Sequence, residues 1–107
     1  MKLWIDDVRP APQGYRWIKT SLDAINAIRN YLIMYEASGH KDYYKIEIID
    51  LDHDAGEFVK MGGDYIFILE WMEHFGIDNI PIHIHSMNPV GVENMRRIIR
   101  HNGWKEV

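Results

Sequence analysis

Apolar positions in this chain fall either in short runs that stop at acids or in longer stretches spaced three and four residues apart. The run Lys2–Ile5 meets Asp6 and Asp7, and the segment VRPAPQG that follows has two prolines and a glycine that forbid a helix. A first strand and a loop are therefore expected. Residues 15–19 (YRWIK) are aromatic and rich in strand formers, and Thr20 or Ser21 then offers a cap for a helix carrying Leu22, Ile25, Ile28, Leu32 and Tyr35, with Gly39 suited to its end. Ile46–Leu51 reads as a third strand. After the loop DAGEFVKMGGD, Tyr65, Ile68, Leu69, Met72 and Phe75 mark a second helix, with Gly76 beyond it. A fourth strand spans Ile80–His85, with Pro81 near its start, and the loop SMNP leads into a third helix bearing Val92, Met95 and Ile99. Asn102 and Gly103 end that helix before WKEV, a candidate fifth strand.

Strands alternating with helices imply βαβ units and a largely parallel sheet covered on both faces, in one domain spanning residues 1–107. Ligands of such sheets bind beyond the carboxyl ends of the strands. Three groups should converge there: Asp6 and Asp7 after strand one, Asp52 to Asp54 after strand three, and His85, Ser86 and Asn88 after strand four. The link between strands one and two is shorter than a normal parallel crossover, which leaves antiparallel pairing open for strand two.

Composition narrows the chemistry. The 107 residues, 47% of them hydrophobic, suffice for one modest core. Cysteine is absent, which removes thiol catalysis and thiolate metal sites and agrees with a cytoplasmic location. MKLWIDD is too short in apolar residues for a signal peptide, and no stretch approaches membrane-spanning length, so neither export nor a membrane is expected. A net charge of −4 argues against an extended nucleic-acid surface and points to a small anionic ligand.

The acidic pair Asp6 and Asp7, an aspartate near the end of strand three, and Ser86 after strand four resemble the receiver domain of two-component response regulators. MKLWIDDVRPAP, WIKTSLDAI, LDHDAG and IHSMNPVGVENM together resemble the cyclic-phosphate processing receiver-like family. The resemblance implies a three-layer receiver-like (flavodoxin-like) α/β fold, truncated, with four to five mostly parallel strands and about three helices. It also implies a metal-assisted phosphoesterase acting on cyclic phosphates of nucleotides or RNA termini. Carried over by motif, its functional positions are Asp6, Asp7, Arg9, Asp52, His53, Asp54, His85, Ser86 and Asn88. Two features depart from an ordinary receiver: almost nothing stands between Asp7 and Tyr15 where its first helix belongs, and its strand-five lysine has no well-placed counterpart, Lys105 lying at the start of the last segment.

Carboxylates crowded together repel and raise one another's pKa unless protonated or joined by a cation. A divalent ion on Asp6, Asp7, Asp52 and Asp54 is the simplest answer. Oxygen donors without thiolates favour Mg²⁺ or Mn²⁺, and the histidines leave Zn²⁺ open. With an unperturbed pKa of about 6.5, His85 or His53 could pass a proton to a leaving sugar oxygen. Arg9 could grip phosphate oxygens, and Ser86 and Asn88 add donors. Plainer roles exist for neighbouring features. Asp50, inside strand three, reads as a cap or surface group outside the site. His83 and His85 share a strand face, but only His85 is assigned to the site. Gly62 and Gly63 suit a turn, and Arg96, Arg97 and Arg100 suit a solvated helix face. Trp4 is expected in the core, and Trp104 has no assigned place. A phosphoesterase, a degenerate receiver that takes a phosphoryl group on Asp52 or binds a partner protein, and a non-catalytic sensor of phosphorylated nucleotides all fit these residues.

Overall fold

A computed structural model describes residues 1–107. It contains strands β1 (Lys2–Ile5), β2 (Tyr15–Ile18), β3 (Ile48–Leu51) and β4 (Ile82–Ile84), and helices α1 (Ser21–Ala37), α2 (Lys41–Tyr44), α3 (Ile66–His74) and α4 (Pro89–Asn102). The sheet order is β2-β1-β3-β4 and every pairing is parallel, giving the receiver-like α/β fold. The segment after α4 adds one parallel bridge between Ile82 and Glu106, so the fifth strand shrinks to a single contact. No helix is long and apolar enough to cross a membrane.

Register explains the layers. Side chains of in-register residues share a face, and alternate residues along each strand point oppositely. Leu3, Ile5, Ile18, Ile49, Leu51, Ile82 and Ile84 therefore face one way and join a single core with Ala24, Ile25 and Ile28 of α1, Ile68, Leu69 and Met72 of α3, and Met95 and Ile99 of α4. The opposite face carries Lys2, Trp4, Tyr15, Trp17, Asp50 and His83, a polar and aromatic set, with Ile48 its one aliphatic member. The truncation falls on this layer, where a loop rather than a helix lies over the sheet.

That loop also settles strand two, which pairs parallel despite a link of only residues 6–14. A helical crossover needs a dozen or more residues. Here the link runs back without a helix, held by the Trp4 indole N–H donating to the Arg9 carbonyl (2.9 Å) and by a turn in which the Asp6 carboxylate accepts from the amides of Val8 and Arg9 (2.9 and 2.8 Å). Trp4 then meets the edge of the Tyr15 ring at the start of β2. Trp4 is thus only partly buried, on the face away from the apolar core where it was expected.

Helix limits follow side-chain caps. The Thr20 hydroxyl accepts from the Asp23 amide (3.0 Å) to open α1, and Asn88 does the same for Gly91 (3.0 Å) ahead of Pro89 at the start of α4. Leu22 and Phe75, expected on buried faces, are exposed: Leu22 rests against Gly62, and Phe75 packs on the neighbouring rings of Trp71 and His74. Trp104 packs partly buried against the core.

Ile49 is fully buried in a strand flanked on both sides, so Ile49→Ala should cost about 2–5 kcal/mol, whereas Thr20→Ala, which removes one cap, should cost about 1 kcal/mol. Urea titration of the two variants checks both values, and their order is the decisive result.

Candidate active site at the carboxyl edge of the sheet

Ile5, Leu51 and Ile84 are the last residues of β1, β3 and β4 and lie in register across the sheet. The next residue in each strand is Asp6, Asp52 and His85, so three sequence-distant groups form one row by the pairing alone. Their donor atoms lie within 4.8 Å of one another. Asp6 is fully buried: one oxygen takes the Val8 and Arg9 amides and the other meets His85 Nε2 at 2.9 Å. Burial alone would raise its pKa, but the two amides and the imidazole outweigh it and hold the carboxyl below its ordinary value. Asp52 Oδ1 accepts from the His53 amide at 2.7 Å.

His85 is fixed on every side. Its Nδ1 meets Asp50 Oδ1 at 2.6 Å, its Nε2 meets Asp6, and its ring stacks on Trp4 with centroids 3.8 Å apart and planes 3° from parallel. Burial lowers its pKa, yet the hydrogen bonds to Asp50 and Asp6 and their charges overcome this and leave it above the ordinary imidazole value. Asp50 therefore belongs to the site and is not a surface group. It is buried on the same sheet face as Trp4, in register with His83 and so two positions before the row of His85. His83, on that face too, instead meets the Val107 carbonyl at 2.7 Å and holds the tail.

Asp7 lies against Gly56, where a Cβ would overlap its carboxylate. Burial raises its pKa, and the charges of Asp6 and Asp52 raise it further. A buried tyrosine that the helical pattern had placed only in the core, Tyr65, forms a wall beside these acids. Its hydroxyl donates to the Lys19 carbonyl at 2.7 Å, and burial together with Asp7, Asp6, Asp52 and Asp64 pushes its pKa up.

The remaining candidates form a second group. His53 Nδ1 meets Asp54 Oδ1 at 2.9 Å, and a donor atom of Asp64 lies within 4.8 Å of theirs. Asp64, which the sequence pattern did not single out, also accepts from the Ala55 amide (3.0 Å). The His53 ring lies against the backbone of Gly91 at the start of α4, where a Cβ would overlap it. Asn88 caps α4 and extends its amide to Asp54 (3.4 Å), while the Ser86 hydroxyl accepts from the Asn88 amide (3.1 Å). Arg9 is exposed and donates to the His85 carbonyl at 3.2 Å. Asp6, Asp52 and His85 are thus gathered directly, with Asp7 and Arg9 beside them; His53, Asp54 and Asn88 make an adjoining cluster.

The parallel receiver-like sheet with acids at its carboxyl edge defines a receiver-fold protein. Residues 1–101 match the model of the cyclic-phosphate processing receiver domain, and the chain belongs to that family. No curated protein and no solved structure matches it. The donor set fits the divalent cation that receiver domains hold: Asp6, Asp52 and His85 offer their ligand atoms within one cation's reach, and Asp7 has a raised pKa next to two carboxylates.

Two outcomes follow for the metal-free protein. A group with a raised folded-state pKa stabilises fully below its unfolded value, here about 6.5, and that contribution is lost as pH rises through the folded value. In chelator, the melting-temperature gap between wild type and His85→Gln should therefore be widest at or below pH 6, where breaking the buried pairs costs roughly 3–5 kcal/mol, and should narrow toward alkaline pH. A gap that widens with pH contradicts the assignment. In a helix, Gly91→Ala would ordinarily gain up to ~1 kcal/mol, but the overlap with His53 should make it destabilising by about 1–3 kcal/mol. In a His53→Ala background the same change should turn neutral or stabilising, as a denaturation double-mutant cycle reads.

Proposed function

We propose that this edge is a metal-assisted phosphoesterase site that opens cyclic phosphates, either of a nucleotide or of a 2′,3′-cyclic RNA terminus, in the cytoplasm. The observation that carries the reading is the row of Asp6, Asp52 and His85, with donor atoms within 4.8 Å of one another, beside a second histidine with an unengaged nitrogen. Asp6 and Asp52, with Asp7 beside them and Asp54 on the adjoining loop, would hold Mg²⁺ or Mn²⁺, which when bound supplies Lewis acidity at a phosphoryl oxygen.

The chain's own groups divide the remaining work. His85 has both ring nitrogens engaged, so proton transfer to the leaving sugar oxygen falls to His53. Asp54 holds His53 Nδ1, and Gly91 lets the imidazole lie at the start of α4, leaving Nε2 free to donate. Arg9 has guanidinium N–H groups beyond the one given to the His85 carbonyl, and these suit the equatorial oxygens of a phosphate. Ser86 and Asn88 shape the loop that presents the first amides of α4, a favourable setting for an anion. A groove of about 580 Å³ lined by Arg16, Trp17, Lys19 and Phe58 adjoins through Trp17, whose indole donates to the Asp6 carbonyl, and offers cations and an aromatic ring to the rest of a nucleotide.

A receiver-like role is the second reading, favoured by the place of Asp52 at the end of β3. Against phosphoryl acceptance stands Lys105, whose carbonyl accepts from the Ile82 amide at the beginning of β4, the end of that strand remote from Asp52. Treatment with a small phosphodonor should leave the intact mass unchanged; a gain of one phosphoryl group would favour this alternative.

Metal-loaded protein offered 2′,3′- and 3′,5′-cyclic phosphates should hydrolyse at least one class. His53→Ala should lower kcat by roughly 10²–10⁴-fold with little change in KM. Absence of turnover with every cation and substrate, in folded protein that still binds the ligand, would leave a non-catalytic sensor of phosphorylated nucleotides.

A further inference from the structure

We infer that His85 is itself a ligand of the cation, through Nε2, with Asp50 as the carboxylate partner of its other nitrogen, so that the site prefers Mn²⁺, Co²⁺ or Zn²⁺ to Mg²⁺. This rests on the reading that the sheet edge holds a divalent ion and specifies which ion and by what donors.

The argument is geometric. A metal-bound histidine almost always donates its second ring N–H to a carboxylate or carbonyl, which fixes the tautomer and aims the free nitrogen. His85 has that arrangement: Asp50 Oδ1 lies 2.6 Å from Nδ1, Nε2 meets Asp6 Oδ2 at 2.9 Å, and one ligand atom each of Asp6, Asp52 and His85 fall within 4.8 Å of one another. Three restraints keep the ring from turning. Asp50 is held within β3, Trp4 stacks on the ring plane at 3.8 Å, and the His85 amide donates to the Leu51 carbonyl at 3.0 Å. The side chain is only 9% exposed, so little of this precision is lost to solvent motion. Nε2 meets Asp6 Oδ2 at 2.9 Å, and a bound cation would replace that hydrogen bond with ligation by the same two groups.

Donor identity then sets selectivity. An all-oxygen cluster suits Mg²⁺, which demands near-ideal octahedral oxygen geometry and loses its waters reluctantly. Replacing one oxygen by an imidazole nitrogen moves the preference along the softer series, with Mn²⁺ below Co²⁺ and both above Mg²⁺. Of the two ions that the carboxylates alone would favour, the nitrogen selects Mn²⁺.

Zinc titration of uniformly ¹⁵N-labelled wild-type protein, followed in long-range imidazole ¹H–¹⁵N spectra, tests this without any substitution. At one equivalent, His85 Nε2 should move to a metal-bound position while Nδ1 retains its proton. Calorimetry should give tighter binding for Zn²⁺, Co²⁺ and Mn²⁺ than for Mg²⁺. Asp50→Asn should weaken Co²⁺ binding 10–100-fold and alter the visible Co²⁺ spectrum, with circular dichroism reporting that the variant is folded. Stoichiometric binding with the His85 resonances unmoved overturns the nitrogen ligand and leaves an all-oxygen site. Failure of every cation to bind folded protein overturns this inference together with the metal-assisted reading on which it rests.

Discussion

The constraint on which the molecule depends is the parallel, in-register ending of three neighbouring strands. Once Ile5, Leu51 and Ile84 are paired in one row of the sheet, the chain has no freedom about where Asp6, Asp52 and His85 go. They leave the sheet together, with Asp6 at zero exposure. A buried carboxylate is tolerable only when its oxygens are satisfied, and here two backbone amides and one imidazole do so. The same imidazole bridges to Asp50, so one ring compensates two buried acids. The apolar face of the sheet makes the row, and His85 makes the row survivable.

This arrangement also separates two kinds of histidine. His85 is held by both nitrogens and by Trp4, which suits a fixed donor or counter-charge. His53 is held by one nitrogen, on a loop, against a glycine that leaves space for its ring. Two imidazoles at one edge, so differently restrained, give the site one ring with both nitrogens engaged and one with a nitrogen to spare. General acid chemistry needs the second type.

Much of this was legible in the sequence, and the reasons are local. Strands β1, β3 and β4 each announce their end by a change from aliphatic residues to an acid or imidazole, so the row at the carboxyl edge could be drawn from LWIDD, IIDLD and IHIH once parallel pairing was assumed. The capping residues Thr20 and Asn88 were equally visible. Asp50 was not, because its partner is 35 residues away and its role depends on which face of the sheet lacks a helix. Asp64 and Tyr65 were hidden for a related reason: a loop and a helix start fold back against the edge, and no spacing rule reports that approach. The direction of β2 was also beyond the pattern, since loop length argued one way and the anchoring of the loop on Trp4 and Asp6 decided the other.

The departure from the receiver pattern and the construction of the site are one physical fact. A helix packed on the second face of the sheet would require apolar residues where Trp4, Trp17, Asp50 and His83 now stand. Without that helix, residues 6–14 can return directly to β2, and the face beneath can carry a carboxylate and an imidazole near solvent without stranding them. Asp50 can then rise from the middle of β3 to hold His85, and Trp4 can lie flat on its ring. Loss of a covering layer thus permits a polar support beneath the carboxyl edge that a sheet buried on both faces would exclude. By this argument, restoring apolar residues at positions 50 and 83 would favour a covered sheet while removing the group that orients His85.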